Sequence, residues 1–180
     1  MTVDPEGWSS GCRRVASPNH DERPPGVEID LLVVHAISLP PGEYGGEAIE
    51  RLFTNRLDPG AHPYFRDVAP LRVSSHFLVR RDGERVQFVP VSRRAWHAGA
   101  SSWRGRGRCN DFSLGIELEG GDSAPFESAQ YRSLARLVAA LRAVLPLRHA
   151  AAHSDIAPGR KTDPGPRFDW PRFFSLLSRR

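Results

Sequence analysis

The chain is poor in cysteine and in long apolar runs, and each shortage excludes a class of protein. Two cysteines, Cys12 and Cys109, in 180 residues are too few for a disulfide scaffold and suit a reducing compartment. No apolar run approaches the roughly 20 residues of a membrane span. The first ten residues, MTVDPEGWSS, lack the apolar segment of a signal peptide. We therefore expect a cytoplasmic protein without a membrane anchor.

Lysine is also scarce. Lys161 is the only lysine among the 25 Lys and Arg residues of the chain. Lysine carries a compact, titratable ammonium group, which the planar guanidinium of arginine does not provide. The single lysine is therefore a candidate for chemistry, although a chance of composition is the simpler explanation.

A formal net charge of +4 and a pI of about 9.7 would fit a nucleic-acid-binding protein. However, the arginines are scattered, and the sequence has neither a helix-long basic stripe nor an aromatic RNA-binding motif. We expect no nucleic-acid partner. A few of these arginines would instead serve a small acidic substrate.

The length and the order of the predicted elements indicate a single α/β domain over residues 1–180. Strands interleaved with helices favour a central mixed β-sheet flanked by helices. Asp82-Gly83 lies between two strand-like runs, which predicts a β-hairpin with a two-residue type I′ turn. Residues 57–73 look like a long surface loop, and Asp169 is the predicted N-cap of the last helix. The remaining predicted elements are strands over 29–37, 111–120 and 147–153 and helices over 47–57, 128–145 and 169–177.

The stretch LLVVHAIS, residues 31–38, ends a buried strand on His35. A lone histidine at a strand end is more often packed or solvated than a ligand. Nevertheless, the carboxyl end of a parallel strand is where α/β proteins usually present side chains to a ligand. His35 is therefore a candidate site residue.

The stretch HAAAH, residues 149–153, resembles a helical metalloprotease motif only superficially. That motif requires Glu directly after the first His, where this chain has Ala150, and Pro146 already interrupts the helix. A better combination is His153 with the segment Lys161-Thr162-Asp163. In an extended turn Lys161 and Asp163 would project to the same side, although an aspartate before proline is also a common turn residue.

Two imidazoles and one carboxylate, from His35, His153 and Asp163, form a donor set that suits catalytic zinc, which keeps a fourth position open. The spacing alone is weak evidence, because the three residues are far apart in the sequence. A zinc-bound water needs a base, and Glu117 and Glu119 share one face of a predicted strand. We expect Glu117 to be the base and Glu119 to lie on a solvated face. Lys161 suits the oxyanion.

Five stretches of the chain resemble a known family: LLVVHAISLPPGEYGG, LDPGAHPYF, LRVSSHFLVRRDGERVQFVP, RAWHAGASSWRGRGRCNDFSLGIELEG and HSDIAPGRKTDPGPRFDW. They are similar to the zinc-dependent N-acetylmuramoyl-L-alanine amidases of type 2, in particular the cytoplasmic ones that act on 1,6-anhydro-muropeptides. The same superfamily includes the peptidoglycan recognition proteins and the T7-type phage lysozyme. The resemblance extends from about residue 7 to residue 175.

The resemblance implies a mixed sheet with a zinc groove on one face. It implies that Zn²⁺ is bound by His35, His153 and Asp163 and that Glu117 and Lys161 are catalytic. The implied reaction is hydrolysis of the amide between 1,6-anhydro-N-acetylmuramic acid and L-alanine of the stem peptide. This reaction serves peptidoglycan recycling and, through muropeptide levels, influences β-lactamase induction.

The resemblance also implies a set of substrate-binding positions: Ala36, Tyr64, Arg72, Trp96 and Arg108. Arginine would suit the carboxylates of the peptide, and the anhydro sugar would lie against an aromatic ring such as Trp96. At residue 36 the chain departs from the family motif H-N-I-S, because alanine replaces the asparagine. This change affects the expected substrate affinity rather than the metal site.

Two alternatives remain open from the sequence. Relatives of this fold include non-catalytic muropeptide-binding modules, which typically lack the full set of zinc ligands. An amidase that acts on polymeric wall peptidoglycan is the other, and we would expect an export signal for it. We expect an anhydro-muropeptide as the small-molecule partner and no obligate protein partner.

Overall fold

The structure, a computed structural model, describes residues 1–178. The strands among these residues are β1 (Arg13–Arg14), β2 (His20–Asp21), β3 (Leu31–Ile37), β4 (Phe77–Val79), β5 (Arg85–Gln87), β6 (Arg94–Ala95), β7 (Ser102–Trp103), β8 (Arg106–Gly107), β9 (Ser113–Glu119) and β10 (His149–Ala152). The helices are α1 (Ala48–Phe53), α2 (Phe65–Val68), α3 (Ser128–Arg142), α4 (His153–Ile156) and α5 (Trp170–Ser178). A short 3₁₀ helix, Cys109–Asp111, precedes β9.

Six strands form the central sheet in the order β1-β5-β4-β9-β3-β10. The neighbours β4, β9, β3 and β10 run parallel, β5 is antiparallel to β4, and β1 is parallel to β5. The pairs β2-β6 and β7-β8 form two small antiparallel sheets. The expected α/β fold with a mixed central sheet flanked by helices is therefore confirmed.

One face of the sheet carries the larger apolar core. Leu32 and Val34 of β3 and Ile116 of β9 pack there against α3 and α5, together with Phe173. Burying each such aliphatic side chain contributes about 1.5 to 3 kcal/mol. This core fixes β3 and β9 as a rigid platform for the opposite face.

The opposite face of β3 carries two separate apolar clusters. Leu31 and Val33 belong to one cluster, with the 3₁₀ helix and α4. Ile37 packs against the other, formed with α1, α2 and β5. Because side chains alternate along a strand, His35 lies on this same face, between the two clusters.

The structure confirms most predicted elements and corrects one turn and one loop. The Asp82-Gly83 hairpin is present as β4-β5, but only Gly83 has a positive φ, +92°, so the predicted type I′ turn is wrong. The Gly83 N–H donates to the Arg80 carbonyl at 2.9 Å, within a longer turn closed by Glu84. The predicted loop 57–73 contains the short helix α2.

At the last helix the predicted N-cap is confirmed. The N–H of Arg172 donates to Asp169 Oδ1 at 2.9 Å, which satisfies one of the free N–H groups at the start of α5. None of the helices among residues 1–178 combines the length and the apolarity needed to cross a bilayer.

Candidate metal centre and groove

A groove of about 420 Å³ lies on the face of the sheet opposite α3 and α5. Its floor is formed by the ends of β3 and β9, and its walls by the loops that follow them and by residues 161–164. The lining includes the three candidate metal ligands and the two candidate catalytic residues: His35, His153, Asp163, Glu117 and Lys161. The two parallel strands β3 and β10 end side by side, which brings together residues far apart in the sequence.

Three ligand atoms converge at one end of the groove. His35 Nδ1 lies 2.9 Å from His153 Nδ1 and 3.1 Å from Asp163 Oδ2. The third side, from His153 Nδ1 to Asp163 Oδ2, is 3.0 Å. Both histidines are buried, and Asp163 keeps part of its surface open to the groove.

Each of these side chains is held by a different element. His35 is in β3, paired with Glu117 of β9, whereas His153 opens α4 directly after β10. The Ser154 N–H donates to the Asp163 carbonyl at 3.0 Å and so ties the loop after α4 to that helix. The Ala152 N–H donates to Asp155 Oδ2 at 2.8 Å, which caps the start of α4.

The donor set fits a metal cation. His153 Nε2 lies 3.3 Å from the Ala98 carbonyl, and because a carbonyl only accepts, this nitrogen carries a hydrogen. In the neutral ring, Nδ1 then presents a lone pair on the side of the Asp163 carboxylate, 3.0 Å from its Oδ2. Ligand atoms that converge in this way could hold a metal ion between them, and two imidazoles with one carboxylate suit zinc.

The charge state of His35 is consistent with metal binding. Burial lowers the pKa of His35 to about 4, which keeps its imidazole neutral near pH 7. The neutral imidazole of His35 can therefore bind a cation through a ring lone pair.

Glu117 lies beside this centre. It is the cross-strand partner of His35, and its side chain lines the groove. Burial and the negative charge of Asp163 raise the pKa of Glu117 well above its usual range, while Lys161 acts in the opposite direction. A carboxyl group tuned toward neutrality suits a general acid or base.

The expectation that Glu119 faces solvent is wrong. Its side chain is 3% exposed and forms a salt bridge of 3.0 Å with Arg80. Its carboxylate also accepts the N–H of Gly45 at 2.7 Å and that of Arg81 at 3.2 Å. Glu119 shares its strand face with Glu117, but the loop that contains Gly45 covers it.

Lys161 lines the groove together with Asp163. Its N–H donates to the Ala157 carbonyl at 3.0 Å, and the side chain is exposed. The ammonium is therefore free to meet a ligand in the groove.

Three of the five expected substrate-binding residues line the groove, namely Ala36, Tyr64 and Trp96. Arg72 and Arg108 lie outside that lining. The Arg72 guanidinium folds back toward the carbonyls of Ala69 and Pro70 at 3.4 and 3.3 Å. Arg108 is largely exposed and pairs with Asp111 at 3.2 Å. Their role in substrate binding stays a prediction.

A larger depression of about 600 Å³ lies elsewhere, and its lining is rich in charge. Four of its charged groups are paired with one another: Arg13 with Glu50 at 2.6 Å and with Glu84 at 2.8 Å, and Arg80 with Glu50 at 2.7 Å. We therefore assign the chemistry to the smaller groove, where the ionisable groups converge on an open space.

His97 was not predicted as a site residue from the sequence. It borders the groove, and its Nδ1 lies 2.9 Å from His35 Nε2. Nothing in its local pattern distinguishes it, because it lies in a glycine-rich segment without periodicity. Its position becomes visible only when β3 and β9 are placed side by side.

A family model described as N-acetylmuramoyl-L-alanine amidase matches residues 25–166. The chain belongs to the N-acetylmuramoyl-L-alanine amidase family. It is 57% identical over 176 residues to the 1,6-anhydro-N-acetylmuramyl-L-alanine amidase AmpD of Escherichia coli (strain K12), which covers 97% of this chain and 96% of that protein. The resemblance inferred from the sequence motifs is thereby confirmed.

Solved structures agree. The crystal structure of a Se-Met AmpD derivative matches with a TM-score of 0.95 and 57% identity, covering 98% of this chain and 99% of that chain. The E. coli amidase AmiD, in complex with the substrate anhydro-N-acetylmuramic acid-L-Ala-D-gamma-Glu-L-Lys, matches with a TM-score of 0.60 and 31% identity. That match covers 97% of this chain and 65% of the AmiD chain.

Proposed function

We propose that this protein hydrolyses the amide bond between 1,6-anhydro-N-acetylmuramic acid and L-alanine of the stem peptide. The observation that carries the proposal is the convergence of His35, His153 and Asp163 beside Glu117 in one groove. The near full-length similarity to AmpD supports the choice of substrate. The reaction would serve peptidoglycan recycling in the cytoplasm and, through muropeptide levels, influence β-lactamase induction.

The proposed cofactor is Zn²⁺, bound by His35, His153 and Asp163. Zinc at this position would supply Lewis acidity, which lowers the pKa of water and polarises an amide carbonyl. A set of three protein ligands is typical of catalytic zinc, whereas structural zinc usually has four.

Glu117 is the proposed proton carrier. Its carboxyl lies beside the ligand cluster and can take a proton from the attacking water, then deliver it to the nitrogen of the leaving L-alanine. Burial and the charge of Asp163 raise the pKa of Glu117 above the usual range, which favours proton uptake. Lys161 places an exposed positive charge in the same groove, where it would stabilise the oxyanion.

The proposed partner is an anhydro-muropeptide, a small molecule that fits a groove of about 420 Å³. Trp96 and Tyr64 offer aromatic surface for the sugar. Arg72 and Arg108 lie outside the groove lining, and their side chains would have to turn toward it to meet peptide carboxylates. We propose no nucleic-acid or membrane partner and no obligate protein partner. The alternative, a non-catalytic muropeptide-binding module, does not require the acid/base carboxyl that Glu117 places beside the metal ligands.

Elemental analysis and mass spectrometry of an anhydro-muropeptide digest test the proposal together. We expect one zinc per chain and the release of the intact stem peptide. Asp163→Ala should lose both the zinc and the activity. Asp169→Ala is the matched control: Asp169 caps α5 away from the groove, so this variant should lose about 1 kcal/mol of stability and keep its zinc.

Two outcomes would contradict parts of the proposal. Full zinc occupancy in Asp163→Ala would show that the ligand assignment is wrong. A wild-type protein that binds zinc and the muropeptide but leaves the amide intact would support the binding module instead.

A further inference from the structure

Two neighbouring residues, His97 and Ala98, contact both histidines of the proposed zinc site. His97 Nδ1 lies 2.9 Å from His35 Nε2. The Ala98 carbonyl lies 3.3 Å from His153 Nε2. Both contacts are made by the ring nitrogen that faces away from Asp163. We propose that His97 is a positioning residue that holds His35 with Nδ1 free for the metal, while the Ala98 carbonyl does the same for His153.

The direction of the hydrogen bonds through His97 follows from its far end. Ser113 Oγ lies 2.6 Å from the Cys109 carbonyl, which can only accept, so the hydroxyl donates there. The same Oγ, 3.2 Å from His97 Nε2, then accepts from that nitrogen. His97 therefore carries its hydrogen on Nε2 and presents a lone pair on Nδ1.

That lone pair fixes the state of the metal ligand. A neutral His35 can satisfy His97 Nδ1 only by donating from Nε2, which leaves its own Nδ1 as a lone pair directed at the ligand cluster. The chain of contacts thus runs from the Cys109 carbonyl through Ser113 and His97 to His35. Partners of this kind set the tautomer and the ring orientation of metal-ligating histidines.

The His97 ring and the backbone around it are held in place by the neighbouring segments. A Cβ atom at Gly115 of β9 would lie 2.5 Å from His97 Cγ, so only glycine leaves room for the ring there. Asn110 Oδ1 accepts the N–H of His97 at 3.2 Å and that of Ala98 at 2.8 Å. One amide side chain therefore sets the position of the whole dipeptide.

The Ala98 carbonyl has a second donor, the guanidinium of Arg160, at 2.6 Å. Arg160 also donates to the Ala100 carbonyl at 2.7 Å, so it anchors the segment that follows the dipeptide. Residues 97–100, which lie outside the strands, thereby contact the imidazoles of both His35 and His153. Neither His97 nor Ala98 is a proposed metal ligand. Both would affect the metal only through their contacts with His35 and His153.

The inference rests on the proposed zinc site, and its test is the zinc affinity, measured by competition with a fluorescent chelator at fixed pH. His97→Phe keeps a ring but removes the acceptor, and we expect it to weaken zinc binding by about 10- to 100-fold. His97→Asn places an amide oxygen near the position of Nδ1, and we expect an affinity within about fivefold of wild type. His149→Phe is the control, because His149 lies on β10 beside Trp103, outside the groove lining.

The outcomes separate the inference from the proposed function. A wild-type protein that binds no zinc would overturn the proposed site. Wild-type zinc affinity in His97→Phe, or equal losses in His97→Phe and His97→Asn, would overturn the positioning role alone. The melting temperature of each metal-free variant shows whether a loss of zinc affinity comes from a destabilised fold.

A measurement on the wild-type protein provides a second test that needs no variant. Long-range ¹H–¹⁵N spectra of the histidine rings report the tautomer directly. We expect His97 as the Nε2–H form and, with zinc bound, His35 with its hydrogen also on Nε2. The Nδ1–H form of His97 would overturn the inference even if His97→Phe failed to fold.

Discussion

Glu117 and Glu119 lie two residues apart on one face of β9, yet their surroundings differ. Glu117 faces the groove, whereas Glu119 is enclosed by a loop and satisfied by Arg80 and two backbone N–H groups. An unpaired carboxyl beside a proposed metal site is available for proton transfer, and a fully bonded one is not. The two positions therefore have different roles at the scale of single residues.

Glu117→Gln keeps the shape of the side chain but removes its ability to transfer a proton. We expect zinc content and melting temperature to stay near wild type while kcat falls by about 10² to 10⁴, the usual contribution of a positioned acid or base. Steady-state kinetics with an anhydro-muropeptide measures the loss. A kcat within about threefold of wild type would exclude Glu117 as the proton carrier.

Lys161→Arg keeps the positive charge and changes its shape and acidity. Because a planar guanidinium cannot occupy the place of a compact ammonium, we expect kcat to fall about tenfold or more, with zinc retained. Arg142→Lys, the reverse exchange at an exposed residue of α3, is the control and should change nothing. Turnover near wild type in Lys161→Arg would make the single lysine an accident of composition.

At the scale of elements, the loop between β3 and α1 depends on Glu119. This loop contributes Leu39 and Pro41 to the groove lining, and Gly45 within it donates to Glu119. A second contact, from Tyr44 Oη to Ser123 Oγ at 2.9 Å, fixes the same loop to the segment after β9. The shape of one groove wall is therefore set from inside the fold.

Glu119→Gln should loosen that wall. It removes the charge that faces Arg80, which keeps Glu50 as a partner, so we expect a loss of about 1 to 3 kcal/mol in the free energy of unfolding. We also expect KM to rise more than kcat falls, because the loop lines the groove without reaching the ligand cluster. Urea unfolding and steady-state kinetics measure the two effects.

The matched control is Glu47→Gln, which removes one member of an exposed helical ion pair with Arg51. Such pairs contribute about 0.3 to 0.5 kcal/mol. Equal unfolding free energies for Glu119→Gln and Glu47→Gln would contradict the anchoring role of Glu119.

Periodicity predicted the elements whose own residues decide their state. β3 is an apolar run, β9 alternates Leu114, Ile116 and Leu118 with other residues, and α3 and α5 repeat their apolar residues at helical spacing, so their existence followed from the sequence. The burial of Glu119 could not be predicted from the sequence, because alternation along a strand assigns a side chain to a face but does not show which loop covers that face. The same holds for His97, whose contacts with His35 and Ser113 exist only once the strands are assembled.

Family motifs predicted more of the site than residue patterns did. The spacing of His35, His153 and Asp163 was weak evidence alone, and the structure brings their ligand atoms together. The placement of Arg72 and Arg108 relative to the groove could not be read from the sequence, because it depends on how long exposed side chains fold onto their own loops.

At the scale of the whole molecule, the proposed metal joins segments that are distant in the chain. His35 and His153 are separated by 118 positions, so a bound ion links β3 to the loop after α4. A ligand that binds only the native state stabilises it by mass action, by about 4 kcal/mol at a free concentration 1,000 times Kd.

Removal of zinc with a chelator should therefore lower the melting temperature. For a chain of this size each kcal/mol corresponds to about 2 to 4 °C, so we expect a decrease of about 8 to 16 °C under that condition. Calorimetry with and without chelator measures the change. Asp163→Ala should melt at the same temperature in both conditions, and a chelator-independent wild type would contradict the structural contribution of the metal.

The register between β3 and β9 has a consequence for how the sheet aligns during folding. The strands pair from Leu31 with Ser113 to Ile37 with Glu119, which places His35 opposite Glu117. β3 is apolar on both sides, so the burial of its aliphatic residues alone would hardly distinguish this alignment from one shifted by a single residue. A shift would drive His35 into the dry interior beneath α3. His35, a proposed metal ligand, thus also helps to fix the register of β3 against β9.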